Sequence, residues 1–211
     1  MGEWMPILVY QFENGKLVNT TKTYFDSNTS GWWNTIAASD LNGDKKPDLV
    51  IGNWGLNSQL TVAEKEPMEL YYADFDKNGT IDPLLSCFIQ HKPFPYLTRD
   101  ELSAQIPSMK KKFPDFKSYA DAGIKEVLEA DQLKEAKKLE ATQLKTVCYL
   151  STASGKFEAS ELPIQAQYAP VYSINILDYN SDGKSDLLLC GNNSHAKIRL
   201  GKFDANYGTL L

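Results

Sequence analysis

The chain has 211 residues, a net charge of -5 at pH 7 and a hydrophobic content of 42%. This length and composition allow one large or two small globular domains with a buried core, and they exclude a disordered tail. Arg99 and Arg199 are its only arginines, so it is poorly equipped for the bidentate contacts of nucleic-acid recognition. Its apolar stretches are shorter than the roughly 18 residues of a membrane span, and its N-terminus has no signal-peptide pattern.

The first predicted element is a β-hairpin. Two runs rich in β-forming residues flank Asn14-Gly15, a pair that favours a tight type I′ turn. The strand-like sequence WMPILVYQF follows Met1 almost directly, and YGTLL ends the chain without a capping or turn signal. We therefore expect the chain to be a piece of a longer protein.

Three nine-residue loops, at 40–48, 74–82 and 178–186, place acidic or amide side chains at alternating positions. Positions one, three, five and nine each offer a side-chain oxygen and position seven offers its backbone carbonyl, which matches the oxygen ligands that calcium prefers. The candidate ligands are Asp40, Asn42, Asp44, Lys46, Asp48, Asp74, Asp76, Asn78, Thr80, Asp82, Asp178, Asn180, Asp182, Lys184 and Asp186. The loops contain nine aspartates, so most of the negative charge lies where cations would neutralise it.

The glycines rank the three loops. Gly79 and Gly183 occupy position six, where a chain curling around an ion needs a positive φ. In the first loop Gly43 stands at position four and Lys45 takes position six, so this loop has the weakest claim to an ion. Turn chemistry alone also favours Asp, Asn and Gly. Three loops with one ligand spacing nevertheless favour up to three calcium sites, with the loops at Asp74 and Asp178 foremost.

Each loop is predicted to join two strands, because an apolar run precedes it and another follows it. Between the second and third loops the sequence changes to helical character. Thr98 and Glu101 form a capping box, and the run over 120–144 has helical spacing. The predicted organisation is two β repeats over 3–97, a helical insertion over 98–143 and a third β repeat over 144–211.

The tryptophans allow two interpretations. Trp32, Trp33 and Trp54 form either an aromatic platform that binds sugar rings or a packing layer between sheets, and the sequence leaves both open. His91 and His195, the only histidines, stand in turn-like settings, and no nucleophile elbow or zinc-protease motif is present. The sequence therefore yields no catalytic candidate. The three cysteines have no metal-ligand spacing, which favours free thiols, with one disulfide as the alternative.

A recurring order is a strand, then the loop pattern D-x-[DN]-x-[DN]-G-x-x-D, then an apolar strand that ends in Gly-Asn, as in DLVIGN and DLLLCGN. This order resembles the FG-GAP or VCBS repeats of integrin α-type β-propellers. The wider string GWWNTIAASDLNGDKKPDLVIGNWGLNS resembles large VCBS-repeat proteins of the Bacteroidetes cell envelope, in the group that carries the cartilage-acidic-protein and UnbV-type tail. The resemblance implies a mainly β fold with a helical insertion, arranged as a partial β-propeller of about three blades. It also implies calcium in the loops and an extracellular or cell-envelope location.

These observations lead to one main functional hypothesis. The chain is expected to be a calcium-stabilised extracellular binding or scaffolding module of a cell-surface repeat protein, without catalytic activity, whose protein or glycan ligand is unidentified. The alternative is part of a carbohydrate-active lyase or hydrolase, or a glycan-binding propeller. Propellers close with about four to eight blades, so three blades would leave open sheet edges and favour pairing with a second copy.

Overall fold

A computed structural model describes the backbone of residues 1–211 and every side chain except that of residue 198. The strands are β1 (Glu3–Met5), β2 (Tyr10–Glu13), β3 (Lys16–Asn19), β4 (Gly31–Trp32), β5 (Thr35–Ser39), β6 (Asp48–Gly52), β7 (Met68–Ala73), β8 (Asp82–Ile89), β9 (Lys92–Pro95), β10 (Lys137–Ala141), β11 (Val147–Ser151), β12 (Phe157–Glu161), β13 (Ser173–Leu177), β14 (Asp186–Cys190) and β15 (Thr209–Leu210). The helices are α1 (Thr21–Tyr24), α2 (Arg99–Gln105), α3 (Met109–Lys112), α4 (Phe116–Ala120), α5 (Ile124–Val127) and α6 (Ala130–Glu135), with 3-10 turns at Ile164–Gln167 and Ile198–Leu200.

The protein is mainly β, and its chain divides into two compact units. The first unit comprises Met1–Leu60 and Gln143–Leu211, and the second comprises Thr61–Thr142. The first unit contains a four-stranded sheet in the order β12-β11-β6-β5, a three-stranded sheet in the order β13-β14-β15, and the pairs β1-β4 and β2-β3. The second unit contains a four-stranded sheet in the order β10-β7-β8-β9 together with α2 to α6.

The sheet of β5 and β6 is assembled from two distant parts of the sequence. β11 pairs antiparallel with β6, with Val147 opposite Ile51 and Tyr149 opposite Leu49, and β12 follows at the outer edge. The sequence predicts one repeat over 144–211, whereas β11 and β12 complete the sheet that begins at residue 35. The reason is that β6 has a second edge, whose N–H and C=O groups require partners, and the residues after the second unit supply them.

The central strand β6 of this sheet is buried on both faces. Val50 and Ile51 are both fully buried, and because neighbouring residues of a strand point to opposite faces they enter different clusters. Ile51 packs with Trp33 and Tyr149 on one face. Val50 packs with Leu187 and Leu189 of β14 on the other. The unbroken apolar run of β6 is thus explained by two-sided burial.

In the second unit, short helices cover one face of the sheet. Leu102, Ile106, Val127 and Leu128 pack there with Leu84 of β8. The predicted capping box at Thr98 is confirmed, since its hydroxyl accepts the N–H of Glu101 and the Glu101 carboxylate accepts the N–H of Thr98.

The helices end earlier than the periodicity predicts. α6 ends at Glu135, and Lys137–Ala141 forms β10, in register from Lys137 opposite Tyr72 to Ala141 opposite Met68. Helical spacing predicts helix to residue 144, and that part of the prediction is wrong. Helix propensity is a weak preference, and here the pairing groups along the edge of β7 outweigh it.

The N-terminal hairpin is confirmed. β2 and β3 pair with Phe12 opposite Leu17 and Glu13 opposite Lys16. Asn14 and Gly15 have φ of 50° and 82°, the two left-handed residues that a type I′ turn requires.

Cys87, Cys148 and Cys190 are not joined in a disulfide bond, as the sequence favours. Burial, and then the nearby Asp48 carboxylate, raise the pKa of Cys148 to about 11. Across the described part of the chain, no helix combines the length and the apolar character that crossing a membrane requires.

Candidate metal centres

Each acidic loop connects two adjacent antiparallel strands, as predicted. The first joins β5 to β6, the second joins β7 to β8, and the third joins β13 to β14. Each of the three larger sheets therefore carries one loop. The first and third loops belong to the first unit, and the second loop belongs to the second unit.

The aspartate at position one organises each loop by accepting backbone N–H groups. In the first loop, the Asp40 carboxylate accepts the N–H of Asp44 at 3.1 Å and that of Lys45 at 2.7 Å. The corresponding bonds to Asp74 measure 2.9 and 2.8 Å, and those to Asp178 measure 3.0 and 2.9 Å. All three loops thus share one backbone conformation around their first carboxylate.

The aspartate at position nine closes each loop in the same way. Asp48, Asp82 and Asp186 accept the N–H of position two at 2.9, 3.0 and 2.8 Å. In the first loop the other oxygen of Asp48 accepts the N–H of Ser151, at the end of β11, at 2.7 Å. Asp48 is fully buried, and its two oxygens join the backbone of the loop to the end of β11.

Positions three, five and seven form a ladder of side-chain to backbone bonds. The side chains at position five, Asp44, Asn78 and Asp182, each accept the N–H of position seven at 2.8 Å. Position seven is occupied by Lys46, Thr80 and Lys184, whose side chains are not needed for this bond. At position three, the amides of Asn42 and Asn180 accept the N–H of position five at 2.9 and 3.0 Å, and the carboxylate of Asp76 does so at 3.2 Å.

The backbone turns through positive φ at both position four and position six of every loop. Position four is Gly43 at 83°, Lys77 at 61° and Ser181 at 60°. Position six is Lys45 at 65°, Gly79 at 89° and Gly183 at 82°. Each loop therefore fills one left-handed position with glycine and the other with a different residue. The position of Gly43 therefore does not distinguish the backbone conformation of the first loop from that of the other two loops.

Among the described residues, three carboxylates converge in the second loop and not in the first or third. One oxygen from each of Asp74, Asp76 and Asp82 lies within 4.8 Å of the other two. Burial raises the pKa of Asp82, the neighbouring carboxylates of Asp76 and Asp74 raise it further, and the N–H of Phe75 opposes them. Like charges this close favour either a bound proton or a cation.

The described lysines and arginines form no ion pair with the loop aspartates, although four lysines stand within the loops. Among the described side chains, none of the ion pairs includes an aspartate of the three loops. Lys46 instead donates its Nζ to the Thr152 carbonyl at 3.0 Å. At Asp40 burial alone would raise the pKa, but four backbone N–H groups together hold it below its usual value. Backbone N–H groups therefore stabilise the charged form of that carboxylate.

The three predicted tryptophans lie in different environments. Trp33 is 1% exposed, packs in the core and donates its Nε1 to the Thr29 carbonyl at 2.9 Å. Trp32 stacks on Trp54 with ring centroids 4.4 Å apart and contacts Trp4 at 4.8 Å. Trp54 is itself 6% exposed and meets Phe203 edge-on. Rings from four segments that are separated in sequence thus meet. No spacing pattern within one segment could predict this contact.

The Gly-Asn pairs that end β6 and follow β14 have a steric role. A Cβ built on Gly52 would lie 2.5 Å from the Val171 carbonyl, and one on Gly191 would lie 1.9 Å from the Pro170 carbonyl. The backbone at 170–171 also donates from Val171 to the Asn53 carbonyl at 3.0 Å. From the sequence these pairs were apparent only as part of a resemblance. The sequence feature that could have pointed to this role is the recurrence of Gly-Asn after two apolar strands.

Comparison with known proteins identifies one of these hairpins as a repeat. Residues 32–56 match the FG-GAP repeat family, a stretch that contains β5, the first acidic loop, β6 and the Gly-Asn pair. Searches among curated proteins and among solved structures find no match. The chain therefore contains an FG-GAP repeat at residues 32–56.

Proposed function

We propose that this chain is a calcium-stabilised binding module of extracellular type, in which each acidic loop holds one Ca²⁺ and the module itself is not catalytic. The observation that carries the proposal is the convergence of the Asp74, Asp76 and Asp82 carboxylates, none of which forms an ion pair with a described lysine or arginine. The FG-GAP repeat at residues 32–56 supports the extracellular and binding character.

The ion would act on the folded state. In the second loop three carboxylates lie close together, and a cation would relieve their mutual repulsion, so that the free energy of metal binding would become free energy of folding. A site held at 100 times its dissociation constant would add about 2.7 kcal/mol to the free energy of unfolding. The candidate ligands are the side chains at positions one, three, five and nine and the carbonyl at position seven, the arrangement that suits a hard cation.

The finer architecture is also part of this proposal. We take the three loop-bearing sheets as three blades of FG-GAP or VCBS type, and we place the chain with the large VCBS-repeat proteins of the cell envelope. The support is the recurrence of one hairpin in all three sheets, with the same nine-residue loop and the same bonds at positions one, five and nine. A protein or glycan would be the ligand.

Calcium titration by calorimetry tests the proposal directly. Protein freed of metal with a chelator is expected to bind Ca²⁺ with a stoichiometry of up to three ions, and Asp82→Asn is expected to remove or weaken one site. The amide that this substitution introduces can still accept the N–H of Phe75, so the loop keeps its closing bond. Asp121→Asn, in the same unit but outside the loops, serves as the matched control. Absence of binding heat would contradict the proposal.

Terbium luminescence can report on the third loop separately. Tyr179 occupies position two of that loop, between the candidate ligands Asp178 and Asn180, so its ring would lie within a few residues of a bound ion and could transfer excitation to it. Tyr179→Phe is expected to remove the share of the sensitised emission that comes from the third loop while leaving calcium stoichiometry unchanged. Equal emission from both proteins would place the ion elsewhere.

The carbohydrate alternative has less support. Trp33 and Trp54 are buried and Trp32 stacks on Trp54, so packing accounts for these rings. Titration with oligosaccharides while tryptophan fluorescence is followed would detect a sugar stacked on Trp32, and an unchanged spectrum is the expected result.

A further inference from the structure

Three asparagine-glycine pairs occur in turns of this chain: Asn14-Gly15, Asn42-Gly43 and Asn78-Gly79. This dipeptide can rearrange without an enzyme. The glycine nitrogen attacks Cγ of the asparagine, a new C–N bond closes a succinimide, and the side-chain amide leaves as ammonia with the proton from the glycine N–H. Water then opens the ring to aspartate or isoaspartate. Glycine permits this attack most readily because it has no Cβ.

In the acidic loops both partners of the reaction are held by hydrogen bonds. Asn42 Oδ1 accepts the N–H of Asp44 at 2.9 Å, while the N–H of Gly43 donates to Asp40 Oδ1 at 2.7 Å. These bonds fix the carboxamide over the following turn and fix the orientation of the nitrogen that would have to attack it.

The second loop repeats this arrangement. Asn78 Oδ1 accepts the N–H of Thr80 at 2.8 Å, and the N–H of Gly79 donates to Asp74 Oδ2 at 2.8 Å. The asparagine stands at position five here and at position three in the first loop, yet the two bonds are of the same kind.

Asn14 lacks these restraints. Asn14 and Gly15 are exposed at the tip of the β2-β3 hairpin, and among the described residues the Asn14 carboxamide has no hydrogen-bond partner. The hairpin is a sheet of only two strands, a structure that is marginally stable in water. Its turn therefore opens more easily than turns at the base of larger sheets.

We propose that Asn14 is the site of spontaneous deamidation in this protein and that the two loop asparagines are protected by their hydrogen bonds. The product at Asn14 carries a new negative charge beside Glu13. An isoaspartate also adds a methylene group to the backbone, which is incompatible with the two-residue type I′ turn. Modification is thus expected to loosen the hairpin and to leave the acidic loops unchanged.

Peptide mapping by mass spectrometry tests the proposal on the full chain. The protein is incubated at mildly alkaline pH with a chelator, so that the result does not depend on calcium binding. Asn14 is expected to convert at least about tenfold faster than Asn42 and Asn78, because two hydrogen bonds must open at each loop site. In denaturant the three rates are expected to converge. Loop sites that react as fast as Asn14 in the native protein would overturn the proposal.

Two variants of the first loop test which hydrogen bond protects Asn42 from deamidation. Asp40→Ala removes the acceptor of the Gly43 N–H and is expected to accelerate deamidation of Asn42. Asp44→Ala is the matched control, because it removes a carboxylate from the same loop but retains the backbone N–H that binds Asn42 Oδ1. Equal acceleration by both would contradict the assigned role of Asp40. Gly15→Ala should slow the Asn14 reaction in denaturant, where the strain of alanine at a positive φ no longer matters, and an unchanged rate there would show that another mechanism operates.

Discussion

At the scale of single residues, the acidic loops hold backbone strain. Lys45, Lys77 and Ser181 have φ between 60° and 65°, a left-handed conformation that costs a residue with a Cβ roughly 1–2 kcal/mol. Such strain persists where the surroundings hold the backbone in place, and here the bonds to the first aspartate do so. The loops therefore keep a fixed shape at some cost in stability.

Lys45→Gly is expected to raise the free energy of unfolding by about 0.5–1 kcal/mol, because the strain is relieved and only part of the gain is lost to the greater freedom of glycine in the unfolded chain. Lys46→Gly, one position later and without a positive φ, is the control and is expected to destabilise. Chemical denaturation of both variants measures the difference. A Lys45→Gly protein less stable than the wild type would contradict the strain argument.

His91 provides a pH-dependent contact in the second unit. Its Nδ1 is bonded to the Glu66 carboxylate, and this hydrogen bond and the negative charge raise the pKa of His91. The charged pair therefore contributes stability that is fully present just below the unfolded-state pKa of histidine, about 6.5, and that is lost as pH rises through the folded-state pKa of His91. Because the imidazole is 89% exposed, solvent screening keeps this contribution small.

NMR titration of the imidazole signals measures the pKa of His91 and tests whether Glu66 raises it. Glu66→Gln is expected to lower the midpoint of His91 toward the ordinary histidine value, while the signal of His195 serves as the internal reference. An unchanged His91 midpoint in Glu66→Gln would show that the ion pair does not form in solution.

At the scale of elements, close backbone contact explains the Gly-Asn ends of β6 and β14. Gly191→Ala would place a Cβ 1.9 Å from the Pro170 carbonyl, so backbone must move, and we expect a loss of about 3 kcal/mol. Gly201→Ala is the control, because Gly201 has a positive φ but a methyl group added there would meet no atom within 4 Å. Its expected loss is roughly 1 kcal/mol. Similar losses from the two variants would show that the contact is not the cause.

Elements encoded by local spacing could be predicted from the sequence. The hairpin at Asn14-Gly15 and the strand pairs around the three loops depend on neighbouring residues alone, and the structure confirms them. β10 could not be predicted, because its strand conformation depends on the edge of β7 and not on its own helix-forming residues. The same holds for β11, whose partner β6 lies about a hundred residues earlier in the sequence.

The candidate site was predictable in part. Regular spacing reveals the side chains at positions one, three, five and nine, and the structure places them around common loops. The need for positive φ at position four was not apparent, because lysine and serine occupy it in two of the loops. The tie between Asp48 and Ser151 joins residues more than a hundred positions apart, so no pattern within the loop could announce it.

At the scale of the whole molecule, negative charge is concentrated in the acidic loops of the larger sheets. Each of the three larger sheets carries one loop with three aspartates. In the described structure no basic side chain pairs with them. A divalent cation in each loop would turn a repulsive cluster into a link between two strands. Both compact units contain at least one such loop, so stability throughout the chain is expected to depend on calcium.

Thermal unfolding in calcium and in chelator tests this account most directly. With calcium at about 100 times its dissociation constant, each filled loop would add about 2.7 kcal/mol, so the unfolding temperature is expected to rise by several degrees or more over that in EGTA. Asp82→Asn should reduce the rise, and Asp121→Asn should leave it intact. An unfolding temperature that is the same in calcium and in EGTA would contradict the central claim that the three loops are calcium sites that stabilise the fold.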